Sequence, residues 1–108
     1  MDNLSNNFKK NEFLLTQFTN GLFWNFNKDK IDFFKHKDLI IERVIEAGLE
    51  NDEILMWKLY KYKDIKKVAI NMESLIYEKL EYIAFVLKIN EKKFKSYGKL
   101  DWFRKNKY

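Results

Sequence analysis

Few side chains in this chain of 108 residues are equipped for chemistry, and the only histidine, His36, stands four residues after Asp32. On a helix, an Asp-His pair at this spacing is half of an acid-base unit. No second histidine, no cysteine and no Gly-x-Ser-x-Gly elbow accompanies it, so His36 reads as a surface or capping residue. Asp38, Glu42 and Glu46 recur at four-residue steps beyond Asp32 and share one stretch with Lys35, Lys37 and Arg43. Carboxylates interleaved with cations in this way describe a solvated, ion-paired helix face rather than a metal site. A Gly-rich phosphate loop and a His-Glu-x-x-His helix are both missing. We therefore expect no enzyme, no catalytic residue, no metal and no cofactor.

The second kind of chemistry is contact by charge and ring. The formal net charge is +5, but it is uneven. Lys88 to Tyr108 holds eight basic residues against two acids, which leaves residues 1 to 87 at a net charge of −1. Phe94, Tyr97, Trp102, Phe103 and Tyr108 are interleaved with these cations. Basic groups beside stacking faces suit nucleic acid or an acidic protein surface. Candidate partner-binding residues are Lys92, Lys93, Lys95, Lys99, Trp102, Phe103, Arg104, Lys105 and Lys107, together with the apolar pair Phe23 and Trp24. The competing reading has the lysines solvated, the tail rings packed back, and Trp24 and Trp57 in the core.

Helices must position these residues. With no proline and three glycines the chain lacks the tight turns of a β-fold. We expect an all-α fold, a compact bundle of about five to six short helices with a basic C-terminal tail. The spacing predicts helices over about Asn7 to Phe18, Phe33 to Ala47, a short segment to Tyr60 capped by Asn51 or Asp52, and one opened by Asp64. It further predicts a central helix over Leu75 to Ile89 and a last turn from Glu91 to Tyr97 capped by Asn90. Asp32 fits an N-cap for the second, Gly48 a left-handed C-cap, and Gly98 a stop for the last. Leu22 to Asn27 reads as an apolar connector. Residues 1–97 then form a single helical domain and residues 98–108 the tail.

Three Trp, six Tyr and ten Phe are a heavy load for so small a core. Some rings should stay at the surface, where apolar patches mark contact sites; a homodimer is one partner this excess allows. The absence of cysteine suits a reducing compartment. Met1 to Lys10 is too polar for a signal peptide, and the longest apolar run, Tyr82 to Leu87, falls far short of the ~20 residues that span a bilayer. The expected location is cytoplasmic, without membrane contact.

The blocks Leu22-Phe23-Trp24-Asn25-Phe26, Lys30-Ile31-Asp32, His36 through Gly48 and Trp57-Lys58-Leu59-Tyr60 resemble a family of short bacterial proteins. Ile65-Lys66-Lys67-Val68, Ala84-Phe85-Val86-Leu87 and Glu91-Lys92-Lys93-Phe94 extend the resemblance over most of residues 22 to 97. Its best block is Ile40-Ile41-Glu42-Arg43-Val44 with Gly48. The chain departs from the family's Phe-Trp-Asp triplet at Asn25, and carries Ile76-Tyr77 and Tyr82-Ile83 where relatives have a Ser-Pro helix start and a Phe-Trp pair.

The resemblance implies a regulatory or antitoxin-like partner of an abortive-infection nucleotidyltransferase, with no catalytic residue to carry over. Anti-CRISPR inhibitors of an RNA-guided, RNA-cutting nuclease are the second compatible context. The expected function is thus a small non-catalytic protein-binding inhibitor or antitoxin-like module of phage-defence conflict, blocking a larger nuclease or nucleotidyltransferase. The alternative is a nucleic-acid-binding regulator that uses the basic tail.

Overall fold

The computed structural model describes residues 2–27 and 29–99. Among them the fold is all-α: α1 Asp2–Gln17, α2 Lys37–Ala47, α3 Glu50–Leu59, α4 Tyr62–Asn71 and α5 Tyr77–Leu87, followed by a 3-10 turn over Glu91–Lys93. Residues 95–99 are helical as well. The chain divides into two compact units, Met1–Lys61 and Tyr62–Tyr108. The expected tail residues Trp102, Phe103, Arg104, Lys105 and Lys107 lie outside the described residues.

In the first unit, Phe18 follows α1 directly and begins an aromatic cluster. Its ring stacks on Phe33 at 5.5 Å and meets Phe23 edge-on at 5.4 Å, and Phe23 meets Phe33 edge-on at 5.9 Å. Such pairs add about 0.5 to 1.5 kcal/mol each beyond the area they bury. α2 buries Ile40, Ile41 and Val44, and α3, which packs against it, buries Met56. Removing each of these chains from water is worth roughly 1.5 to 3 kcal/mol.

Two polar clasps fix the loops around this core. Asp52, fully buried in the first turn of α3, accepts from Leu49 N–H at 2.9 Å and from the backbone and hydroxyl of Thr19 at 2.7 and 2.6 Å. The start of α3 is thereby tied to the chain that leaves α1. Asp52 is not the N-cap, as the sequence suggested for it or Asn51; Leu49 takes that position and Asp52 reaches back to it. Asn11 accepts from Phe33 N–H at 3.0 Å, and Tyr60 donates its hydroxyl to Phe33 O at 2.7 Å.

The second helix starts later than its apolar pattern. Asp32 accepts from Phe34 and Lys35 N–H, so residues 33–36 form turns and regular helix begins at Lys37. Gly48 is a further correction: its backbone is extended, φ −72° and ψ 152°, not left-handed. Glycine is needed there because a Cβ would stand 2.6 Å from Val44 O.

In the second unit, α4 buries Ile65, Val68 and Ala69, and α5 buries Leu80, Ile83, Ala84 and Leu87. Tyr62 donates its hydroxyl to Leu87 O. Asn90 caps the 3-10 turn by accepting from Lys92 N–H at 2.9 Å, as its position predicted. Gly98 does not stop the last helix, which runs through it. No helix among the described residues is long and apolar enough to cross a membrane.

Candidate protein-contact face around Trp24

The expected anchor pair separates on folding. Phe23 is 4% exposed and belongs to the aromatic cluster, whereas Trp24 is 72% exposed. Phe23 therefore offers no surface to a partner; it seats the turn that presents its neighbour. The signal was legible in part, because adjacent residues in a tight turn point apart and only one of two rings can face the core.

The turn itself is built from short bonds. Leu22 N–H donates to Thr19 O, Trp24 N–H to Gly21 O and Phe26 N–H to Phe23 O, at 3.0 to 3.2 Å. Gly21 sits at φ +86°, a backbone conformation that side chains rarely adopt. Arg43 closes the arrangement from α2. Its Nε donates to Leu22 O at 2.7 Å, and its guanidinium lies 6.0 Å from the centre of the Trp24 ring. That distance is at the outer reach of a cation–π contact. Arg43 was grouped from the sequence with the charges of a solvated face; the distant carbonyl it holds carried no local signal.

Beside the turn, α2 continues the face. Leu39 and Arg43 are separated by one turn, and Leu39 is half exposed. An open cleft of about 320 Å³ is lined by residues 25–27, Lys30, Ile31, His36 and Leu39. His36 accepts from Asp32 N–H through Nδ1 at 3.1 Å. The backbone bonds from Lys35 and Phe34 hold the Asp32 carboxyl below its usual range, with the charge of Lys35 adding to the shift. The Asp32 and His36 pair thus closes a helix-start turn.

The basic candidates of the second unit have mixed settings. Lys92, Lys93 and Lys99 are exposed, and Lys95 lies 3.7 Å from Glu73 in an exposed ion pair. Phe94 is buried and Tyr97 half buried, so these two rings pack back as the competing reading had it. Trp57 is half buried. Among the described residues no cluster of three or more His, Cys, Asp or Glu side chains forms a metal site.

These features define a small all-helical protein with an aromatic-and-arginine surface. The sequence of residues 18–69 matches a family of unknown function, DUF6922. That stretch includes the turn, α2 and every residue named for the Trp24 face. No curated protein and no solved structure matches the chain.

Proposed function

We propose that this chain is a non-catalytic protein-binding module, an inhibitor or antitoxin-like neutraliser that covers a larger nucleic-acid enzyme, with Trp24 and Arg43 at the centre of the contact. The observation that carries the reading is the 72% exposure of Trp24 on a turn braced from three sides. A ring this open adds little to the fold, whereas tryptophan and arginine dominate binding hot spots. The bracing by Gly21, Phe23 and Arg43 removes most of the ordering cost of docking. The class of partner, a nucleotidyltransferase toxin or an RNA-guided nuclease, comes from the family resemblance.

The test is equilibrium binding of the purified protein to the nucleotidyltransferase of its own gene neighbourhood and to an RNA-guided RNA-cutting nuclease of the same host. Binding to one of them should weaken roughly 30-fold or more on Trp24→Ala. Tight binding that Trp24→Ala and Arg43→Ala leave unchanged would move the contact elsewhere, and no binding to either enzyme would remove this class of partner.

Exposure of Lys92, Lys93 and Lys99 supports the second reading, a nucleic-acid-binding regulator. It requires an affinity for RNA or DNA that falls steeply with salt.

A further inference from the structure

The outward face of α5 carries a knob, a hole and charges of both signs on one surface. Leu80, Ile83, Ala84 and Leu87 turn inward, and Glu78, Glu81, Tyr82 and Phe85 turn out. Phe85 is 82% exposed, the highest value of any large apolar residue described. Next to it an open groove of about 610 Å³ runs over the last turn of α5 and the segment that follows, walled by Ala84, Phe85, Val86 and Ile89 and flanked by Glu81 and Lys88.

Glu81, Phe85 and Lys88 all line this groove and form one stripe along it, with Lys88 just past the end of α5. Lys88 is the C-cap of α5 and adopts φ 59°, the only non-glycine residue at positive φ among those described. Glycine or asparagine is the usual occupant of that position. Here the chain carries a full-length cation at the far end of the stripe.

We propose that α5 is the contact of a two-fold homodimer in which two copies of this helix lie antiparallel, crossing near Phe85. An isologous interface must be complementary to itself, and this face meets the condition twice. The Phe85 ring of each copy enters the apolar groove of the other. Glu81 of each copy stands opposite Lys88 of the other, because an antiparallel crossing midway between Ala84 and Phe85 sets position 81 against position 88. A parallel pairing would instead set acid against acid and base against base. The face is one short helix, so the dimer belongs to the small and weak end of specific interfaces. The inference uses residues of the second unit alone and is independent of the reading of Trp24.

Sedimentation equilibrium across a concentration series up to about 1 mM, the weak end of specific association, should show monomer passing to dimer. Phe85→Glu should weaken association roughly 30-fold or more with the circular dichroism spectrum unchanged. Glu81→Lys and Lys88→Glu should each weaken it, and the double exchange should restore it, since the pair is then reversed and not lost. A wild-type protein that stays monomeric throughout the series overturns the proposal. So does a dimer that Phe85→Glu leaves intact, or one in which the double exchange is no better than either single change.

Discussion

At Asp52 three donors converge on one fully buried carboxyl group. Removing it leaves the Thr19 and Leu49 N–H groups without a partner, each a loss of about 1 to 3 kcal/mol. Asp52→Ala is therefore expected to lower the unfolding free energy by roughly 3 kcal/mol or more, read by urea denaturation at neutral pH. Trp24→Ala should change it by less than about 0.5 kcal/mol, because the ring is open to solvent; a large loss would make Trp24 structural. Tyr60 behaves differently again. Burial raises its hydroxyl well above the ordinary value of 10.0, and the charge of Asp32 adds to the rise. The protonated form is the folded one, so its contribution is complete below pH 10 and declines as pH climbs from there toward the native value. Tyr60→Phe should remove that part of the alkaline loss and lower stability at pH 7 by about 1 kcal/mol, since Phe33 O loses its donor. Ser96 makes the opposite case: its buried hydroxyl lacks a hydrogen-bond partner among the described residues, so Ser96→Ala should leave the melting temperature unchanged or raise it.

Most helices lie near their expected spans, although α1 begins at Asp2 and α5 is shorter at both ends, and at the start of α2 a polar group competes with the helix. Phe33 to His36 has the pattern of a helix, yet Asp32 draws two backbone N–H groups into a turn first. Two glycines show how differently one residue type is required. Gly21 has open space around it and a positive φ, so Gly21→Ala costs about 1 kcal/mol in backbone strain. Gly48 has an ordinary φ but no room, and Gly48→Ala should cost about 2 kcal/mol by forcing Val44 O aside. Thermal melts of the two variants should rank them in that order. A left-handed C-cap at Gly48 without the clash would bring the two variants level. The sequence marked Gly48 correctly as the end of α2, but a clash with the preceding turn has no signature in composition or period.

For the molecule as a whole, charge separates the two readings of function. With a net charge of −1 over residues 1 to 87, a broad electrostatic footprint for nucleic acid is missing. A protein-contact module should leave short RNA and DNA unbound near the roughly 0.15 M salt of cells. Binding that persists there, with a logarithmic salt slope of several units, would favour the regulator instead.

Composition and period were enough for the all-α class and the approximate helix spans, because these depend on local properties: turn residues, caps and the 3.6-residue repeat. They could not divide the rings into buried and exposed. Phe23 and Trp24 are neighbours of similar character, and which of them faces water depends on Phe18, Phe33 and Arg43, five to nineteen positions away. Arg43 belonged by pattern to a solvated stripe until its bond to Leu22 O became visible. The pairing of knob, groove and opposite charges on α5 arises in the same way, from side chains that periodicity can align along one face but that packing alone leaves uncovered.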